Sequence, residues 1–234
     1  MRARVKEKRE VARGTLFFEF DVGDEVDFTP GQYFWVEVLN PPFEDERGPR
    51  RHISLAVSPT DGFLGLATRV RDTAFKQGLA ALDVGDEIEV EEPKGDYVLP
   101  GDTDRRYVFI AGGIGITVFR SMLRYIADES LPYDIILVYS NRDRESTAFF
   151  DELPDLERRI PGLQVVLTMT GDPAWEGETR RVDADFLRDH LDGQLGDYTY
   201  LAAGPPPMVE GIVEMLDAAG VPEEQVLPDR FSGY

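Results

Sequence analysis

The chain has 234 residues, no cysteine, and 45 acidic against 25 basic side chains, giving a formal net charge of −20. This length suits one large domain or two ordinary ones. Without thiols the chain cannot form disulfides, thiolate metal sites, cysteine nucleophiles or cysteine-bound iron–sulfur clusters. Because only two histidines are present, we predict no transition-metal site and assign no metal ligand, while carboxylate sites for hard cations stay open. The acidity also argues against nucleic acid as a partner, since binding a phosphate backbone requires a basic surface.

No run approaches the roughly 20 apolar residues that cross a bilayer, and the charged segment 1–10 lacks the apolar core of a secretory signal. We therefore expect a cytoplasmic protein with no membrane span. Arginine supplies most of the basic residues, and acidic residues are dispersed along the chain. This pattern favours a halophile-like acidic surface adapted to high salt, where screening relieves self-repulsion. An ordinary acidic surface is the alternative.

The first hundred residues alternate apolar and polar positions in short runs, which predicts an antiparallel sandwich or barrel. The predicted strands are 5–12, 15–20, 33–39, 53–57, 63–70 and 87–91. One helix is predicted over 73–82, with Asp72 as its N-cap.

From Arg106 onward, near-continuous apolar runs alternate with helical patterns. The apolar runs 107–111, 135–139, 165–168 and 199–202 predict parallel strands that are buried on both faces. Helices are predicted over 117–128, 146–160, 183–191 and 207–219. This alternation predicts an α/β doubly wound parallel sheet that binds a nucleotide. The polar stretch 100–105 marks the boundary, so we predict a first domain over 1–100 and a second over 101–234.

The segment Ala111-Gly112-Gly113-Ile114-Gly115-Ile116-Thr117 lies between the first parallel strand and its helix. Glycines in such a turn let the backbone approach a pyrophosphate, whose charge the helix N-terminus attracts. A purely structural tight turn is the alternative. The spacing differs from the dinucleotide pattern G-x-G-x-x-G, because Val118 and Phe119 follow where a third glycine would stand.

Six motifs, in order, resemble those of the ferredoxin–NADP reductase superfamily along essentially the whole chain. They are Pro30-Gly31-Gln32-Tyr33, Arg51-His52-Ile53-Ser54-Leu55-Ala56, Thr68-Arg69-Val70-Arg71 with 73–79, Gly112-Gly113-Ile114-Gly115-Ile116-Thr117, Tyr139-Ser140-Asn141-Arg142, and Ala203-Gly204-Pro205-Pro206-Pro207-Met208. The resemblance implies a stand-alone oxidoreductase without an iron–sulfur domain. Its antiparallel β-barrel would bind FAD, and the following α/β domain would bind NADP or NAD.

On the flavin side, the resemblance implies that Arg51 pairs with the FAD pyrophosphate and that Ser54 hydrogen-bonds near the flavin N5, in a catalytic role. It implies a second catalytic role for the terminal Tyr234, which would cover the flavin. Asp229 stands where relatives have a glutamate involved in proton delivery. The remaining residues implied to bind FAD are His52, Ile53, Thr68, Val70, Phe75, Lys76 and Gln77, with core packing as the preferred role of Phe75.

On the nicotinamide side, the resemblance implies a catalytic position for Thr117 beside the nicotinamide. The other residues implied to bind the nucleotide are Gly112, Gly113, Gly115, Ser140, Arg142, Gly204 and Pro205. Arginine at the end of the second parallel strand favours NADP, while Asp143 and Glu145 nearby leave NAD open. Three positions depart from the family pattern: Ile53 replaces an aromatic residue, Val118 a proline, and Ala203 a cysteine.

These features predict an FAD-dependent oxidoreductase that takes hydride from NAD(P)H, with a slight preference for NADPH. Electrons would pass to a separate carrier such as ferredoxin, or to a haem or oxygenase protein. Because the chain has no cysteine, a cysteine-held iron–sulfur carrier must be another protein. One alternative is an NAD(P)H-dependent reductase of free flavin or another small molecule. A second is a non-enzymatic nucleotide-binding regulatory subunit.

Overall fold

A computed structural model of the chain describes residues 1–23 and 26–231. The chain divides into two compact units. Unit 1 comprises Met1–Leu99 and Arg120–Tyr125, and unit 2 comprises Pro100–Phe119 and Ile126–Tyr234. Unit 1 contains an antiparallel sheet and unit 2 a parallel sheet, which confirms the predicted fold class.

The described part of unit 1 contains six strands and one α-helix. They are β1 (Arg2–Ala12), β2 (Thr15–Asp21), β3 (Tyr33–Val38), β4 (Arg50–Ser54), β5 (Leu64–Arg69), α1 (Ala74–Ala81) and β6 (Glu87–Val90). The strands pair in the order β4-β3-β6-β1-β2-β5. Beyond the edge strand β4, the Ala56 N–H donates to the Gly65 carbonyl of β5 at 2.9 Å. The two edges of the sheet therefore approach each other, as in a barrel.

Two local predictions in unit 1 were wrong. The strand predicted over 53–57 is Arg50–Ser54; its charged residues are tolerated because an edge strand pairs on one side only. The predicted N-cap Asp72 is not the cap of α1. Thr73 takes that place in an extended conformation, and its Oγ1 accepts the Lys76 N–H. Both residue types cap helices well, so the backbone conformation decides between them.

Unit 2 alternates strands and helices. They are β7 (Arg106–Gly112), α2 (Ile116–Asp128), β8 (Asp134–Asn141), α3 (Leu153–Arg159), β9 (Leu163–Met169), α4 (Ala184–His190), β10 (Tyr198–Gly204), α5 (Pro206–Ala218) and β11 (Val226–Arg230). All strands are parallel, in the order β11-β10-β7-β8-β9. The winding reverses between β7 and β10. The carboxyl ends of strands at such a switch point form the ligand crevice of open α/β sheets.

Unit 2 differs from the sequence prediction at one strand and one helix. The strand β11 was not predicted, because Pro228 and two charged residues break its apolar pattern; an edge strand accepts proline. Within the helix predicted over 146–160, the only α-helix in the structure is α3, which begins at Leu153. Proline is tolerated in the first turn of a helix, so Pro154 places the helix start there. In the described parts of the chain, no helix is both long enough and apolar enough to cross a membrane.

Candidate functional site

Arg51 lies in β4, and the preceding loop holds its guanidinium. Nη1 donates to the carbonyl oxygens of Arg47 and Gly48, at 2.7 and 2.9 Å. Nη2 lies 3.9 Å from a carboxylate oxygen of Asp45. This buried nitrogen has no hydrogen-bond partner among residues 1–23 and 26–231. A buried guanidinium nitrogen without an acceptor fits an anionic ligand such as a phosphate.

The N-terminus of α1 holds a carboxylate from the same loop. The Ala74 N–H donates to Asp45 Oδ2 at 2.8 Å. This hydrogen bond is the main cause that keeps the pKa of Asp45 below its ordinary value. Sequence reasoning missed Asp45, because 44–46 is a run of acidic residues typical of a solvated loop. The contact joins residues far apart in sequence, and no local pattern could have revealed it.

Lys76 is the centre of a basic cluster in unit 1, which we define as Arg51, Arg69, Arg71 and Lys76. The lysine is only 4% exposed. Burial, followed by the charges of Arg71, Arg69 and Arg51, lowers its pKa to about 8. Gathering like charges is unfavourable unless an anion offsets them. In a chain of net charge −20, this cluster is therefore a candidate phosphate site.

The alternation of β4 divides the predicted flavin residues between its two faces. Arg51 and the buried Ile53 share one face, and His52 and Ser54 share the other. On that second face the ring of His52 lies 5.3 Å from that of Trp35, in an edge-on contact. Burial and the charge of Arg51 lower the pKa of His52. The strand thus brings Ser54 together with His52 and places both on the face opposite Arg51.

The remaining predicted flavin residues lie on β5, directly after it, and on α1. Thr68 is buried, and its Oγ1 has no hydrogen-bond partner in the described part of the chain, so this hydroxyl is available to a ligand. The Val70 N–H donates to a carbonyl in the β1–β2 turn at 2.8 Å. Gln77 Nε2 donates to the Arg71 carbonyl at 3.1 Å. Phe75 is fully buried, in line with core packing.

Two predicted residues belong to the end of the chain. Asp229 lies in β11, paired in register with Ala203 of β10. Burial raises the pKa of Asp229 to about 6. A carboxyl group that titrates this close to neutral pH is suited to giving and taking a proton. Tyr234 lies outside the described residues.

The glycine turn after β7 is shaped by packing against β10 and α5. A Cβ at Gly112 would overlap the Met208 sulfur, and a Cβ at Gly115 would overlap the Ala203 carbonyl oxygen. Gly113 has a φ of +52°, in the left-handed region that favours glycine. Glycine is therefore required here by protein packing as well as by any close approach of a nucleotide.

The other predicted nicotinamide residues around this turn lie at the switch point. Thr117 is buried in the first turn of α2, and its Oγ1 donates to the Ile114 carbonyl at 3.0 Å. A Cβ at Gly204 would lie 3.0 Å from the Gly112 carbonyl oxygen. Pro205 follows as the N-cap residue of α5. The structure thus brings the glycine turn and Gly204 together at the carboxyl ends of β7 and β10, where α/β sheets bind ligands.

Ser140 and Arg142 lie at the carboxyl end of β8. Arg142 is exposed, and it forms no ion pair with the residues that the structure describes. Its acidic neighbour Asp143 accepts a backbone N–H of the following turn at 2.8 Å. The guanidinium of Arg144 stacks on the ring of Phe150, 4.7 Å from its centroid. Arg142 is therefore the better placed of the two arginines to meet an anion.

Asn141, between these residues, was part of a predicted motif but was not assigned a role. Its side chain is buried, and neither amide atom has a hydrogen-bond partner within 1–23 and 26–231. Its backbone carbonyl accepts the Thr170 N–H at 2.9 Å. A buried amide of this kind fits an ordered water or a polar group of a nucleotide.

The chain thus has an antiparallel unit with a candidate phosphate site, followed by a parallel unit with a glycine turn at its switch point. This order is the architecture of two-domain flavin and nicotinamide-nucleotide oxidoreductases. The family model described as the oxidoreductase NAD-binding domain matches residues 109–214. This match and the likeness to a solved ferredoxin reductase confirm the resemblance to the ferredoxin–NADP reductase superfamily that the motifs predict.

Three relatives illustrate this relationship. The reductase component of propane 2-monooxygenase from Rhodococcus jostii strain RHA1 is 27% identical over 213 residues, covering 88% of this chain and 56% of the relative. The solved ferredoxin reductase in carbazole 1,9a-dioxygenase is 27% identical, with a TM-score of 0.81, over 99% of this chain and 69% of that one. The flavohem-like FAD/NAD-binding domain of nitric oxide dioxygenase from Vibrio cholerae O1 biovar El Tor shares the fold, at 19% identity and a TM-score of 0.85, over 98% of each chain.

The chain spans about half the length of the curated relatives it matches, 49% to 58% of the first four. The matches therefore support the fold of this chain and its NAD-binding domain.

Proposed function

We propose that this chain is an FAD-dependent oxidoreductase that takes hydride from NAD(P)H and passes electrons to a separate carrier, such as ferredoxin or a haem or oxygenase protein. The observation that carries the proposal is the buried Nη2 of Arg51, which belongs to the basic cluster. This nitrogen has no hydrogen-bond acceptor among the described residues. The basic cluster, in a chain of net charge −20, also suits an anionic ligand. The names of its relatives, reductase components of a monooxygenase and of a dioxygenase, point the same way.

FAD, when bound, supplies a site that accepts hydride and releases electrons singly. The protein's part is to bind and orient. Arg51 and Lys76 would hold the flavin phosphates through charge-assisted contacts, and the Ser54 hydroxyl would hydrogen-bond near N5. The glycine turn from Gly112 would seat the nucleotide phosphates at the start of α2. No protein nucleophile is required.

The proposal includes a preference for NADPH. Arg142 is exposed at the strand end where the ribose is expected. Asp143, the carboxylate that would otherwise favour NAD, is committed to a backbone N–H. These contacts support recognition of the extra phosphate of NADPH by Arg142.

The first experiment asks whether the purified chain is yellow, and whether NADPH or NADH bleaches it without oxygen. We expect Arg51→Ala to lose FAD, and we expect Ser54→Ala to keep FAD but to be reduced more slowly. A chain that binds no FAD, or whose bound FAD neither nucleotide reduces, would contradict the proposal and leave the regulatory-subunit alternative. Release of FAD on gel filtration, with turnover of added free flavin, would instead favour the small-molecule reductase.

The second experiment measures kcat/KM for NADPH and NADH in Arg142→Ala. Loss of one charge-assisted contact is worth roughly 1.5–3 kcal/mol, or about 10- to 100-fold, so we expect that loss for NADPH and little change for NADH. Arg181→Ala, at another exposed arginine of unit 2, is the matched control. Equal losses with both nucleotides would refute the assignment of Arg142.

A further inference from the structure

The loop between β3 and β4 places a carboxylate beside Arg51, which the proposed function gives to the flavin phosphates, and on the first N–H of α1. Asp45 Oδ2 accepts the Ala74 N–H of α1 at 2.8 Å, and Oδ1 lies 3.9 Å from Arg51 Nη2. We propose that Asp45 is a competing anion that sets how tightly this chain holds a phosphate-bearing flavin. This inference rests on the proposed function and adds to it a residue that weakens cofactor binding.

The loop is built to hold Asp45 in this position. Asp45 Oδ1 also accepts the Arg47 N–H at 2.9 Å, and its backbone carbonyl accepts the Gly48 N–H at 3.0 Å. The carbonyls of Arg47 and Gly48 in turn accept from Arg51 Nη1. The side chains of Asp45 and Arg51 are 24% and 17% exposed, so both are largely withdrawn from solvent. The carboxylate is thus an ordered part of the site.

A phosphate on Arg51 and this carboxylate would be close neighbours. A phosphate oxygen bonded to Arg51 Nη2 would lie close to Asp45 Oδ1, which is 3.9 Å from that nitrogen. Two anions at such a distance repel each other strongly in a partly buried site. Relief of this repulsion requires the charged Asp45 side chain to leave the Ala74 N–H, and the loss of that contact is subtracted from the affinity. Removing the charge of Asp45 removes this opposition.

The test compares flavin affinities of the purified, flavin-free chain, followed by quenching of flavin fluorescence. We expect Asp45→Asn to lower the Kd for FAD about tenfold, the effect of one charge-assisted hydrogen bond, and Asp45→Ala to lower it similarly. Asparagine keeps an acceptor for the Ala74 N–H, and matched urea midpoints will show that the fold is kept. Glu46→Gln, which removes an exposed charge from the same loop, should change the Kd less than twofold.

Riboflavin, which carries no phosphate, separates competition at the phosphate from a general loosening of the loop. Its Kd should be the same in the native chain and in Asp45→Asn. An equal gain for riboflavin, or an unchanged or raised Kd for FAD in Asp45→Asn, overturns the proposal. If the native chain and all variants bind no flavin, the proposed function itself fails, a distinct result.

A measurement on the native chain removes the dependence on variants. Hydrogen exchange should become faster in peptides covering 44–49 when FAD is added, because Asp45 is released, and slower in peptides covering 74–79. Slower exchange in both segments would show that Asp45 stays in place beside the phosphate, which also overturns the proposal.

Discussion

Asp229 provides a direct test of what burial of a charge costs in unit 2. Burial alone raises its pKa from 3.8 to about 6. Each pKa unit corresponds to about 1.4 kcal/mol, so a shift of about two units opposes folding by about 3 kcal/mol once the group is ionised. An amide of the same shape carries no such cost. We therefore expect Asp229→Asn to raise the free energy of unfolding at pH 7.5 by about 2–3 kcal/mol.

The sign of the pH dependence follows from proton linkage. Between about pH 4 and 6 the folded chain binds more protons at Asp229 than the unfolded chain, so native stability falls as the pH rises through this window. The gain in Asp229→Asn should be near zero below pH 4 and complete above pH 6. Urea unfolding followed by circular dichroism from pH 4 to 8 measures it. Asp217→Asn, an exposed site in α5, is the control. A gain that does not depend on pH, or a loss at pH 7.5, would refute the reasoning.

Three further predictions concern the two anion sites. Gly115→Ala should destabilise the chain by at least about 2 kcal/mol and abolish NADPH binding in calorimetry, because the new Cβ overlaps the Ala203 carbonyl. Gly196→Ala, whose new Cβ would lie in open space, should change neither the stability nor the binding. The Kd for FAD should be constant below pH 8 and should rise by up to about tenfold per pH unit above it, because Lys76 loses its proton near pH 8. A pH-independent Kd in Lys76→Met would confirm that Lys76 causes the rise. A pH-independent Kd in the native chain would exclude this role of Lys76. Thr68→Val should leave the free energy of unfolding of the flavin-free chain unchanged or raise it by about 1 kcal/mol, because the Thr68 hydroxyl has no hydrogen-bond partner among the described residues. A clear loss of stability would show that the Thr68 hydroxyl is hydrogen-bonded.

The fold was predictable wherever burial dictates the residue pattern. The strands of unit 2 at its centre, such as β7 and β8, are covered on both faces and read as continuous apolar runs. The strand β11 escaped prediction because an edge strand needs no such pattern and tolerates Pro228. The choice between Asp72 and Thr73 as cap depended on backbone angles, which composition does not encode.

The candidate site was predictable only as far as local motifs reach. Arg51 and Gly115 stand in short signatures whose spacing along the chain is fixed by one turn or one strand. Asp45 belongs to no signature, and its contact with Ala74 spans 29 positions. Contacts of this kind depend on how loops close over the sheet, which is a property of the fold as a whole.

The charge distribution changes what the acidity implies. Unit 1 contains 15 basic and 20 acidic side chains, whereas unit 2, only slightly larger, contains 10 and 25. The negative charge is therefore concentrated in unit 2. A nucleotide is a polyanion and would bind unit 2 against the field of that unit. The proposed nucleotide binding would therefore depend most on an arginine such as Arg142, which forms no ion pair with the described residues.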